Sequence, residues 1–192
     1  MRADYHQPMD PSPPAANPAA LLRFWQDAGP KRWFRKDTAF DAEFRERFLA
    51  MHEAAARGGL MAWTGDSDRC LALVLLLDQF PRNAFRGTAR AWSTDALARV
   101  VAQQAVERRF DHAHDEALRN FVYLPFMHAE WLPDQERALQ LTSGLAEDAP
   151  KYAQIHHGII RRFGRFPHRN ALLGRRSTAE ERAFLDEGGF AG

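Results

Sequence analysis

Between Leu71 and Leu77 every residue is apolar, and a helix built from such a run has no face to offer water. The segment must therefore be enclosed by the rest of the chain. Its reach from Ser67 to Phe80 and its leucine content favour a helix over a buried strand. What surrounds it should also be helical, because no run alternates with period two. Phe40, Phe44, Phe48 and Met51 mark one face of a helix that Asp37 caps. Leu97, Val100, Val101 and Ala105 follow helical spacing after Ser93-Thr94-Asp95, and Asn17-Pro18 suits a cap and first residue ahead of Leu21, Leu22, Phe24 and Trp25. Further helices are expected from Asp115 to about Glu130 with Pro125 inside, from Pro133 to Leu145, from Pro150 to Phe163, and after the capping pattern Ser177-Thr178-Ala179-Glu180. The expected fold class is all-α, with about eight helices stacked as antiparallel hairpins.

At 192 residues, 45% of them hydrophobic, the chain can bury one substantial core. Residues 1–17, with four prolines and little to bury, read as a disordered arm, and 18–192 as a single domain. The N-terminus lacks a signal-peptide pattern and no apolar run approaches the roughly 18 residues that span a bilayer, so a cytoplasmic address without membrane contact is expected. A net charge of +1 argues against holding nucleic acid by bulk electrostatics. Cys70 is the sole cysteine, which rules out an internal disulfide, and beside the apolar run it reads as a small core residue.

One phrase occurs twice. Phe80-Pro81-Arg82-Asn83-Ala84-Phe85-Arg86-Gly87 returns with one extra residue as Phe166-Pro167-His168-Arg169-Asn170-Ala171-Leu172-Leu173-Gly174. Proline disfavours helical continuation, so both copies are expected to be helix exits, brought to one end of the domain. Turn chemistry accounts for Pro, Asn and Gly but not for the arginines, which offer planar recognition of carboxylate or phosphate. Asp78, on the inward stripe four residues before Arg82, should be buried and needs a cation; Arg82, Arg169 and His168 are the candidates. His128 falls on the inward stripe with Phe121, Leu124 and Pro125. His156 falls within the stripe of Tyr152, Ile155, Ile159 and Phe163, whereas His157 points away. Three histidines and Glu130 lack the tight spacing of a metal site, and no cofactor is implied. The six arginines between Arg161 and Arg176, with no acid among them, read as a solvated face or as a groove for anions. Lys31-Arg32-Trp33-Phe34-Arg35-Lys36 is a connector whose rings dock on the core or stack on a nucleotide.

The strings Lys31-Arg32-Trp33-Phe34, Leu77-Asp78-Gln79-Phe80-Pro81-Arg82-Asn83, Tyr123-Leu124-Pro125-Phe126-Met127-His128-Ala129-Glu130 and Phe163-Gly164-Arg165-Phe166-Pro167-His168-Arg169-Asn170 resemble the bacterial family called domain of unknown function 924, over about Leu21 to Leu185. The resemblance implies a helical superhelix like that of tetratricopeptide repeats and brings no reaction with it. Its motifs match here at Asp78, Gln79, Arg82, Asn83, His128, Glu130, His156, Arg165, His168, Arg169 and Asn170. On their own chemistry, Asp78, Gln79, Arg82, Asn83, Glu130, His156, Arg165, Arg169 and Asn170 are the ligand-binding candidates, and His128 and His168 are the groups that would move a proton if there is chemistry. At Ala129 this sequence departs from the serine the family pattern leads one to expect. The expectation is a small anionic ligand, carboxylate or phosphate, in a polar pocket between hairpins. The alternative is a scaffold that presents a groove to a peptide or protein partner.

Overall fold

The computed structural model describes residues 16–146 and 148–190, so the expected N-terminal arm lies almost entirely outside the described residues. Within them the chain forms ten helices: α1 (Pro18–Ala28), α2 (Pro30–Trp33), α3 (Thr38–Ala56), α4 (Ser67–Val74), α5 (Phe80–Ala84), α6 (Asp95–Glu107), α7 (Glu116–Met127), α8 (Leu132–Thr142), α9 (Asp148–Phe163) and α10 (Ala179–Asp186). No strand occurs among the described residues, and no helix there is long and apolar enough to cross a membrane.

The caps form largely as the side chains dictate. Asn17 Oδ1 accepts from the Ala20 N–H at 3.1 Å and Asp37 Oδ1 from Phe40 at 3.0 Å. At α10 the capping box is Thr178 with Glu181, one residue further along than the sequence pattern suggests.

The apolar run is the axis of the molecule. Every residue from Cys70 to Pro81 is buried, with α1 and α6 packed on α4, α3 on α5, and α7 against α4. The aromatic face of α3 fills the space on one side: Phe44 lies 5.3 Å from Phe24, 5.4 Å from Trp25 and 5.1 Å from Phe80. The buried stripe runs on through His52 and Ala55 rather than through Met51. The connector's rings dock on the core: Trp33 stacks on Trp25 and donates to its carbonyl at 2.6 Å, and Phe34, though exposed, stacks on Phe121. Cys70 is buried, and burial pushes its thiol up to about 11.

Two expectations are corrected. Pro81 does not end its helix. The chain widens into a π turn over Leu75–Gln79 and passes through the proline into α5, so the first Phe-Pro copy is a helix interior and its exit comes only after Ala84. Pro81 brings no N–H to this stretch, and side chains meet its carbonyls instead: His52 Nδ1 donates to Leu76 (2.8 Å), Thr94 Oγ1 to Leu77 (2.5 Å) and Arg82 Nη1 to Asp78 (2.7 Å). The second copy is a true exit. After Gly164 it forms a short 3-10 turn, Pro167–Arg169, on which α10 packs. The other correction is the phase of α9, where Ala153, His156, Ile159 and Ile160 face inward while Tyr152 and Ile155 are exposed.

α8 packs between α7 and α9, and the helices gather round the central one. A tandem tetratricopeptide array is a finer description than this packing supplies.

Candidate functional site

The π turn, the N-terminus of α6, the C-terminus of α7 and the Pro167–Arg169 turn meet in one place. Asp78 sits at the centre with no exposed surface. Its Oδ2 accepts from Gln79 Nε2 at 2.6 Å, its Oδ1 from His128 Nδ1 at 2.8 Å, and Arg82 Nη1 lies 3.2 Å from Oδ1. Burial works against the charge, yet Arg82 and His128 outweigh it and hold the carboxyl below the usual carboxylate range. The residue is buried and paired as its sequence position demands. It lies in the widened turn and not at a helix end.

Arg82 forks onto Asp95, Nη1 to Oδ1 at 2.8 Å and Nη2 to Oδ2 at 2.9 Å. Arg169 Nη1 approaches the same carboxylate at 3.4 Å. The two Phe-Pro segments therefore converge, and the residue that joins them is Asp95, in the first turn of α6 where the helix dipole favours an anion.

Arg169 is the least satisfied cation of the group. Its side chain is 7% exposed, its Nε has no hydrogen-bond partner, and the long contact to Asp95 is its one polar bond among the described residues. The guanidinium lies 4.4 Å from the centre of the Phe166 ring and 5.4 Å from that of Trp92. Burial, then the neighbouring Arg82, lower its pKa to about 10, which leaves it charged at neutral pH but poorly compensated.

Three neutral imidazoles complete the cluster. His128 donates through Nδ1 to Asp78, so its Nε2 carries the lone pair. His156 donates through Nδ1 to the Tyr152 carbonyl at 2.8 Å, with the same result, and the two rings are 6.2 Å apart. His168 has its Nδ1 buried without a partner. Burial is the first cause of depression in all three; Arg82 adds to it at His128 and Arg169 at His168, and the pKa of His156 and His168 falls to about 4. Such a set can hold an anion on its arginines and exchange a proton through an imidazole.

The remaining candidates have their donors engaged elsewhere. Asn83 donates to Asp41 at 2.7 Å, tying α5 to α3. Arg165 grips Glu181 at 2.6 and 2.8 Å, and Asn170 bridges Ser177 and Glu181 while accepting from Arg175. Glu130, just beyond the end of α7, accepts from the Phe166 N–H at 2.8 Å and from Arg175 at 2.9 Å, which fixes the approach to the second Phe-Pro turn. The arginine run is thus neither one solvated face nor one groove: Arg162, Arg165 and Arg175 are paired, and Arg169 belongs to the cluster. Sequence reasoning missed Asp95, Trp92 and Phe190. Asp95 was visible only as a first-turn acid.

No three histidine, cysteine, aspartate or glutamate side chains among the described residues converge as a metal site. Two surface clefts lie elsewhere. One of about 510 Å³ is lined by Arg23, Phe24, Arg32, Phe40 and Arg47, and one of about 410 Å³ by Arg109, Asp111, Arg119, Tyr123 and Arg137. Arg32 and Arg47 of the first already pair with Asp37 and Glu43. The buried, unsatisfied groups of the Arg169 cluster make the stronger candidate.

Residues 21–189 match a family described as bacterial protein of unknown function, DUF924. A solved structure, a protein of unknown function from Agrobacterium tumefaciens (ATU0120), is 51% identical, with a TM-score of 0.87 over 89% of this chain and 97% of that one. No curated protein matches. The chain belongs to the DUF924 family of bacterial proteins.

Proposed function

We propose that this is a cytoplasmic protein that binds a small carboxylate or phosphate between its two Phe-Pro segments, with Arg169 and Arg82 as anchors and His128 or His168 as the group that moves a proton. One observation carries the reading: Arg169 is buried, its Nε is unpartnered, and Asp95 is committed to Arg82 by two shorter bonds. A buried cation left in this state is stabilised by any anion that reaches it, and a planar fork suits a carboxylate or phosphate. His128 supports chemistry as well as binding. The Asp78 carboxylate holds its tautomer and leaves Nε2 able to accept a proton, an arrangement that serves a general base. Gln79, Glu130 and His156 then act as supports of the anchors, and Asn83, Arg165 and Asn170 as ties that keep the two segments in register.

The alternative, a tetratricopeptide-like scaffold with a partner groove, draws on the cleft between α1 and α3. Two of that cleft's arginines, Arg32 and Arg47, are already paired with Asp37 and Glu43 and lie over Phe40 and Phe24, which leaves less for a partner to satisfy.

Titration calorimetry with acetate and with phosphate tests the proposal. The expected result is binding to the wild type that Arg169→Lys weakens about tenfold while melting within a few degrees of it, since lysine keeps the charge but loses the fork. If no anion binds, and the lysine variant melts well below the wild type, Arg169 is a structural clasp and the proposal fails.

A further inference from the structure

The last described residue closes over the cluster, and the chain is built to put it there. α10 ends in a paired turn in which the Gly188 N–H reaches the Leu185 carbonyl at 3.1 Å and the Gly189 N–H reaches Phe184 at 2.9 Å. Gly188 holds φ +84°, where side chains are disfavoured. A Cβ on Gly189 would lie 2.5 Å from the Phe184 carbonyl oxygen, a backbone atom that cannot step aside. Two glycines therefore let the chain double back tightly enough to lay the Phe190 ring 4.6 Å from the His156 ring and 5.6 Å from the His168 ring.

Those two imidazoles also face Phe166, at 5.4 and 5.7 Å, and His168 lies 6.4 Å from Trp92. The walls on this side of Arg169 are thus aromatic, and the chain's own phenylalanine fills the space between them. The ring covers the apolar half of the cluster but brings no charge, so the Nε of Arg169 and the Nδ1 of His168 stay unmet. A molecule that completed both halves would carry a flat ring and an anionic group together.

Resting on the anion-site reading above, we infer that the ligand is an aromatic carboxylate, whose ring takes the place that Phe190 occupies in the free protein. Tail and ligand then compete, and Phe190 acts as a plug that sets the apparent affinity. A plug of this kind lowers the apparent affinity to the fraction of time it stands open, and one aromatic contact is enough to hold that to about a tenth.

The experiment compares benzoate with acetate by titration calorimetry on the wild type and Phe190→Ala. Removing the ring should tighten benzoate about tenfold and change acetate by no more than about twofold, because acetate needs none of the vacated space. If both acids bind and Phe190→Ala binds benzoate no tighter than the wild type does, the plug is refuted while the anion site stands. If neither acid binds either protein, the site itself is lost and the plug with it. A ligand-free readout guards against a variant that fails for other reasons. Ring-nitrogen NMR should show the pKa of His156 and His168 rising toward the ordinary value once water reaches them, and titrations that match the wild type would show that Phe190 does not cover these rings.

Discussion

Replacing Asp78 with alanine removes the centre of the buried network, and the structure says where the cost arises. Arg82 does not become an orphan, because its fork onto Asp95 at 2.8 and 2.9 Å survives. His128 Nδ1 and Gln79 Nε2 do lose their acceptor, Gln79 in the buried interior and His128 with little of its side chain exposed. An unsatisfied buried donor costs about 1–3 kcal/mol, and loss of the Arg82 contact at 3.2 Å adds to the two of them, so the expected destabilisation is about 3–5 kcal/mol. At roughly 2–4 °C per kcal/mol for a chain of this size, the melting temperature should fall by about 6–20 °C. Asp78→Asn separates charge from shape. Its Oδ1 can still accept from His128, while its amide nitrogen opposes that of Gln79 unless the glutamine turns over, so about 1–2 kcal/mol is expected. Thermal and urea melts followed by circular dichroism decide it. An alanine variant melting within about 2 °C of the wild type would mean that the network holds nothing together.

Stability should fall with pH before the carboxylates begin to titrate. His128, His156 and His168 have depressed pKa values in the folded state, so the unfolded chain takes up protons first; their contribution is complete above about pH 6.5 and is lost as the pH falls toward about 4, a decline of several kcal/mol that urea melts across that range will show. Thr94→Val keeps the side chain's volume but strips the donor from the Leu77 carbonyl in the π turn, and should cost about 1–3 kcal/mol in the same melts, whereas Thr94→Ser should cost less.

Local chemistry was readable wherever it is decided locally. Asn17 and Asp37 announced helix starts, the leucine run announced the enclosed axis, and Asp78 on that axis announced a buried charge in need of partners. The π turn was not readable. A run apolar on every side carries no phase, and Pro81 on its own argues for an ending. What lets the helix continue is the set of donors arriving from His52 and Thr94, residues far away in sequence, together with Arg82. Asp95 was hidden for a related reason: an acid in a first turn is explained by its own helix, so its role as the joint between Arg82 and Arg169 appears only when the two segments meet. Phe190 follows a pair of glycines and belongs to no periodic stripe. Its position depends on a turn that the sequence marks and on a surface that the sequence does not.

The proposed anion site can be tested before any natural ligand is identified. Acetate titrated into protein carrying nitrogen-15, with the histidine ring nitrogens and arginine Nε followed by NMR, reports on each anchor separately. The account predicts saturable shifts at Arg169 Nε and at the His168 and His128 rings. Shifts confined to Arg23, Arg32 and Arg47 in the cleft between α1 and α3, or no saturable shift at all, would contradict it.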